Sequence, residues 1–312
     1  MRHAAVAALA LLALGAGLAR AQTPPSSPPT TSSSSSGSDE DFTIRDSSVG
    51  YIDSAIPANV VRLRYDSAYH MTRPNRAEFF YGPGSPIGPG LEDPERNIDY
   101  QEISAYLEVL FGPRLSFFGE VPVRFLNPEV NDNAAGLSDV NAGFKYAFLR
   151  GDGEVATFQL RGIAPTGDVN TGLGTSHASV EPALLYYRRL DDRLILEGEL
   201  RVWVPIGGSE LAGDVLRYGL GLSYDLCRTE HMTFRPVVEF VGWTVLSGKE
   251  TVTTPAGDLV LKDAAGDDIL NVKLGMRTFL GDRLDFYAGY GRALTGTRWY
   301  EDIIRVELRW SF

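Results

Sequence analysis

A chain that transforms a substrate needs a nucleophile with a base, a set of metal ligands or a cofactor cradle. This one carries little of the kind. Beyond the first 21 residues it holds three histidines, His70, His177 and His231. Only His177 has serines beside it in sequence, Ser176 and Ser179, the pairing a serine hydrolase requires. Cys227 is the single cysteine, which excludes an intramolecular disulfide and any cysteine-based metal cluster. There is no phosphate-binding glycine loop, no dinucleotide fingerprint and no paired-histidine zinc motif. The residues therefore read as no enzyme, with no catalytic, metal or cofactor-binding residue and no cofactor. A net charge of -11 also argues against nucleic acid as a partner.

What the sequence does offer is charge at regular intervals. The cations Arg62, Arg64, Arg124, Lys145, Arg161, Arg201, Arg217, Arg235, Lys273, Arg277, Arg305 and Arg309 fall at alternate positions of otherwise apolar segments. So do the carboxylates Asp66, Glu102, Glu108, Glu120, Asp139, Glu181, Glu197, Glu199, Asp225, Glu239, Asp285 and Glu307. The same phase carries Tyr106, Phe118, Tyr187, Trp203, Phe279 and Tyr287.

Alternation with a period of two marks β-strands. Twelve such segments run over 60–69, 100–111, 115–126, 138–148, 155–164, 177–188, 194–205, 215–226, 233–246, 269–280, 284–292 and 302–312. Of their 27 charged residues, 24 lie in one phase, and the exceptions (Arg188, Arg292, Asp302) sit at segment ends. A nearly charge-free phase is expected where it faces lipid, because a midplane Arg or Lys costs about 2–4 kcal/mol there. Lipid also forbids unpaired strand edges, so the segments must close on themselves. The expected fold is all-β, a closed antiparallel transmembrane barrel of about twelve strands.

The links support this. The odd gaps hold 30, 11, 12, 9, 22 and 9 residues, the even ones 3, 6, 5, 6 and 3. Long outer loops alternating with short periplasmic turns characterise bacterial outer-membrane barrels, and an even strand count puts both termini in the periplasm. Phe111, Phe117, Phe148, Phe158, Tyr186, Tyr224, Phe234, Phe286, Trp310 and Phe312 gather in the apolar phase near the short turns, as an interfacial girdle would. Pro122, Pro182 and Pro236 fall mid-segment, where a missing N–H implies bulges or broken pairing.

Met1–Ala21 has the basic start, apolar stretch and Ala19-Arg20-Ala21 ending of a signal peptide for Sec export. Residues 22–59, opened by the Ser/Pro/Thr tract 23–38, read as a disordered periplasmic leader. The barrel then occupies 60–312.

Two resemblances narrow the class. Arg309-Trp310-Ser311-Phe312 resembles the C-terminal signature of bacterial outer-membrane barrels, which implies recognition of Phe312 by the barrel-assembly machinery. Gly136-Leu137-Ser138-Asp139-Val140-Asn141-Ala142-Gly143-Phe144-Lys145-Tyr146, Ala164-Pro165-Thr166-Gly167-Asp168 and Glu181-Pro182-Ala183-Leu184-Leu185-Tyr186-Tyr187 resemble segments of the "MetA-pathway of phenol degradation" family of outer-membrane transporters. That resemblance covers about 136–190 and implies passage of aromatic or apolar small molecules.

The functional expectation is thus a passive outer-membrane channel for small solutes, with outer-membrane lipids as its surroundings. The alternative is a structural or surface-contact barrel with a plugged lumen; a hydrolase using His177 is the weaker third. Twelve strands enclose a bore between the filled eight-stranded and open sixteen-stranded cases. Equal numbers of lumen charges of each sign argue against strong ion selectivity and for Arg–carboxylate networks joining opposite walls. Loop 70–99, with Phe79-Phe80-Tyr81-Gly82-Pro83-Gly84, is the candidate constriction.

Overall fold

A computed structural model of the chain describes residues 42–71, 89–93, 95 and 97–312. The signal and the Ser/Pro tract lie outside these residues, as does the proposed constriction at Phe79–Gly84. Among the described residues twelve long strands form the wall: Val60–Met71 (β1), Ile98–Leu110 (β2), Leu115–Pro128 (β3), Val140–Gly151 (β4), Glu154–Ala164 (β5), Ala178–Arg189 (β6), Leu194–Ile206 (β7), Val215–Tyr224 (β8), Met232–Val245 (β9), Asp268–Leu280 (β10), Leu284–Ala293 (β11) and Asp302–Ser311 (β12). Every neighbouring pair is antiparallel. β12 returns to β1 in a register running from Val60↔Ser311 to Tyr69↔Asp302, which closes the barrel.

Alternation decides which side each residue faces. Leu63, Leu184 and Leu274 are each more than half exposed on the outer surface, whereas their strand neighbours Arg64, Ala183 and Lys273 point inward. Apolar side chains exposed all round a closed wall have lipid, not water, as their solvent. The rings near the short turns lie on this outer face, and Phe111, Phe117, Phe144 and Phe158 form a row of T-shaped and tilted pairs at centroid separations of 6.1–6.4 Å.

The three mid-strand prolines break pairing on one side each. β3 pairs with β4 up to Glu120↔Asn141, then past Pro122 it pairs instead with the short piece Ala134–Leu137. Between β6 and β7 the pairing skips Glu181 and Pro182. The β8–β9 ladder begins only at Val237, directly after Pro236. Above the outer rim, Lys249–Thr253 and Leu259–Asp263 form a separate hairpin.

One boundary needs correcting. Residues 42–59, assigned above to the disordered leader, are folded and lie inside the barrel. The segment carries Phe42, Ile44, Val49, Tyr51, Ile52 and Ile56, all buried, and this apolar content gives it a reason to leave water that the Ser/Pro tract lacks.

Candidate functional site

The lumen and the segment within it form the candidate site. The segment enters from the short-turn end, where Arg189 pairs with Asp46 at 2.9 Å and Arg45 with Asp282 at 3.1 Å. It rises to an apex at Ile52–Asp53 and descends to Asn59, whose side-chain oxygen accepts from the Leu110 N–H at 2.8 Å. Irregular backbone at membrane depth is tolerated only where protein satisfies it, and here charged lumen side chains do so almost residue by residue. Every carbonyl from Arg45 to Tyr51 accepts from an arginine: Arg235 serves Arg45 and Asp46, Arg309 serves Ser47, Arg277 serves Ser48 and Val49, Arg305 serves Gly50, and Arg217 serves Tyr51. Every N–H from Ser48 to Asp53 donates to a glutamate: Ser48 and Val49 to Glu197, Gly50, Tyr51 and Ile52 to Glu239, and Asp53 to Glu199. On the way down, the Ala58 N–H donates to Glu108 at 3.1 Å.

Shape reinforces charge. A Cβ on Gly219 of β8 would lie 2.3 Å from Ile52 Cγ2, and one on Gly221 would lie 2.6 Å from Val49 Cγ1. The wall has glycine where the segment presses against it, because only a missing side chain leaves that room. At the apex, Asp53 accepts from Gln159 and Arg161 at 2.8 Å each and from Arg201. Burial alone would raise its pKa, but the guanidinium groups of Arg161 and Arg201 outweigh burial and hold the carboxyl well below the usual range.

Of the 24 charges read into the lumen phase, all are buried except Arg62, Arg64, Arg161 and Arg217, which are half-buried. The six lumen-phase aromatics, Tyr106, Phe118, Tyr187, Trp203, Phe279 and Tyr287, are buried as well. The expected networks across opposite walls take a different form. Ion pairs between wall residues join neighbouring strands or strands one apart: Arg305 with Asp66 at 2.7 Å, Arg124 with Glu102 at 2.6 Å, Lys145 with Glu108 at 2.9 Å, and Arg277 with Asp285 and Glu307. The connection across the bore runs through the segment. Sequence reasoning missed it because 42–59 has no period to detect. The available signal was the change from Ser/Pro/Thr to Phe-Thr-Ile at Phe42.

Three cavities lie in the lumen. Nearest the outer rim is one of about 100 Å³ among Glu102, Arg124, Asp139 and Asn141. Above the apex is one of about 130 Å³, lined by Tyr51, Asp53, Trp243, Lys273, Tyr300 and Arg305 among others. Both are also lined by Arg64, Glu120 and Arg161. Beside the segment, between Arg62, Tyr106, Glu108, Lys145 and Glu307, the space narrows to about 20 Å³. The outer half of the lumen is otherwise filled by an apolar cluster that includes Ile98, Trp203, Trp243, Ile269, Trp299 and Ile303. His177 is buried on the outer rim with its Nδ1 2.8 Å from the Thr175 carbonyl oxygen, a local loop contact within two residues. Cys227 is exposed near a periplasmic turn.

A closed wall of twelve antiparallel strands, greasy outside and ionised inside, defines a bacterial outer-membrane β-barrel. Comparison with known proteins agrees with that class. An outer membrane channel from Pseudomonas putida F1 superposes with a TM-score of 0.52 at 12% identity, over 85% of this chain and 100% of that one. The β domain of the Bordetella autotransporter Brka gives 0.49 at 14% identity, over 82% and 100% of the two chains. The NanC porin gives 0.44 at 10% identity, over 82% and 99%. No family model and no curated protein matches the sequence.

Proposed function

We propose that the protein is an outer-membrane channel through which small solutes diffuse, with its own N-terminal segment setting the bore. The observation that carries this reading is the set of cavities along the lumen, about 100 Å³ near the outer rim, about 130 Å³ above the apex and pinched to about 20 Å³ where Val49–Ser54 faces Arg62 and Tyr106. A water-sized gap stops a solute until the segment shifts. The segment is held by hydrogen bonds and ion pairs, which water can replace, and not by continuation of the sheet. The resemblance of 136–190 adds aromatic or apolar molecules as the solute class. Lipid around the wall, assembly through Phe312 and the absence of an enzymatic role complete the proposal.

Locking the segment tests it. The Cβ position of Gly219 is 3.5 Å from Ile52 Cβ, within the separation a disulfide spans. In a Cys227→Ser background, Ile52→Cys with Gly219→Cys should give low, quiet conductance in planar bilayers when oxidised. Reduction should then produce larger, fluctuating currents. Silence in both states would favour the plugged structural barrel, and equal conductance in both would remove the segment from the path.

A further inference from the structure

We infer that the cavity above the apex is a binding site for a small organic carboxylate, seated on Lys273. The inference deepens the channel reading, which it needs for its biological meaning, by giving that channel a ligand class.

Among the described residues every lumen arginine, and Lys145, has a carboxylate within ion-pair distance. Lys273 has none. It is 1% exposed, and its ammonium donates to the Tyr300 hydroxyl while lying 4.3 Å from the Tyr51 ring centroid and 4.6 Å from that of Tyr300. A carboxylate does stand opposite it in register, since Lys273 pairs with Glu239 across β9 and β10. That carboxylate is turned to the segment, where three N–H groups and the Tyr287 hydroxyl occupy it. Docking the segment therefore leaves Lys273 as a buried cation facing a cavity.

The cavity suits an anion in other respects. Its two carboxylates, Asp53 and Glu120, are each already paired with arginine, and Arg305 and Arg217 also line it. So does Trp243, whose indole N–H is buried with no hydrogen-bond partner among the described residues. Lys273 and Trp243 thus both line a space bounded by the rings of Tyr51, Tyr100 and Tyr300. The volume, about 130 Å³, is close to that of an apolar cavity that takes up benzene, roughly 150 Å³. A carboxylate with a body of up to one ring would place its charge at Lys273 and its apolar part against the tyrosines. The wall is also shaped to seat this lysine. A Cβ on Gly291, the residue paired with Lys273 in β11, would lie 2.3 Å from Lys273 Cδ.

Equilibrium binding to the full-length protein in detergent tests the site without requiring transport. Benzoate is the probe and benzyl alcohol its neutral counterpart, with heat released or Trp fluorescence as readout. Benzoate should saturate one site, and benzyl alcohol should bind at least about tenfold more weakly, the order expected for losing a charge-assisted hydrogen bond. Lys273→Met should weaken benzoate by a similar factor, and Lys273→Arg should retain it. Both variants are judged only after heat-modifiable mobility shows an intact barrel; Trp243→Phe, which keeps an aromatic side chain and removes the N–H, should weaken benzoate in the same assay if either lysine variant fails to assemble. Equal affinity for acid and alcohol, or unchanged benzoate binding in Lys273→Met or Trp243→Phe, overturns the site. Binding without conductance would sink the channel and leave the site standing. Conductance without benzoate binding would do the reverse.

Discussion

Glu239 is where the docking of the segment is most concentrated, so removing its acceptor oxygens is the sharpest perturbation. Its two oxygens accept from Gly50 at 2.9 Å and from Tyr51 and Ile52 at 3.0 Å each. Glu239→Leu leaves three buried N–H groups without a partner, and each such loss costs about 1–3 kcal/mol. Water that follows the side chain into the lumen offsets part of this, so the lower end, about 3 kcal/mol in total, is the figure to use. Because each 1.4 kcal/mol is a factor of ten, the undocked fraction should rise by roughly a hundredfold. Hydrogen exchange in detergent reads this directly. Amides 48–53 should lose about two orders of magnitude of protection in Glu239→Leu, while those of β2, β7 and β10 stay as they were. Glu239→Gln, which keeps one acceptor oxygen, should fall between. Unchanged protection of 48–53 in Glu239→Leu would refute the claim that lumen carboxylates hold the segment.

Further expectations follow from the same geometry. Gly219→Leu puts a side chain where Ile52 Cγ2 now lies, 2.3 Å from the new Cβ, and should expose the 47–54 stretch to protease without unfolding the wall; a protected segment would contradict the packing. The Asp53 carboxyl, held low by Arg161 and Arg201 against its burial, stabilises docking fully above its unfolded value near pH 4. That contribution fades as pH falls toward the depressed native value. Acid should therefore loosen the segment below about pH 4, and Asp53→Asn should flatten this dependence when exchange is followed against pH. Deleting Phe312 should lower the yield of assembled, heat-modifiable barrel in the outer membrane, and a full yield would exclude it as an assembly contact.

The wall was legible in the sequence for a specific reason. Lipid imposes a nearly absolute rule on one face of each strand, and Leu194 to Val204 or Ile304 to Phe312 obey it without interruption. The twelve segments drawn from that rule differ from the observed strands by at most three residues at an end. Even the prolines carried their meaning locally, since a missing N–H shows in the pairing wherever it occurs. The segment was not legible in this way. Phe42–Asn59 owes its conformation to groups far along the chain, Glu197, Glu239, Arg277 and Arg305 among them, and no local period records such contacts. Its apolar residues stand out only against the Ser/Pro tract before them, a contrast that marks burial without saying where.

The balance of lumen charges connects the two parts. Twelve cations and twelve carboxylates looked, from the sequence, like partners for one another. A stretch of irregular polypeptide brings one donor and one acceptor per residue, so a wall that must satisfy it without regular secondary structure needs acceptors and donors in similar number. Glutamates take the N–H groups of 48–53 and arginines take the carbonyls of 45–51. Near-neutrality of the wall is therefore what a barrel built around a segment of its own backbone requires. Lys273 is the exception because the carboxylate opposite it, Glu239, is engaged by the segment. Undocking the segment frees Glu239 to meet Lys273, so movement of the plug and loss of the anion site are two outcomes of one rearrangement.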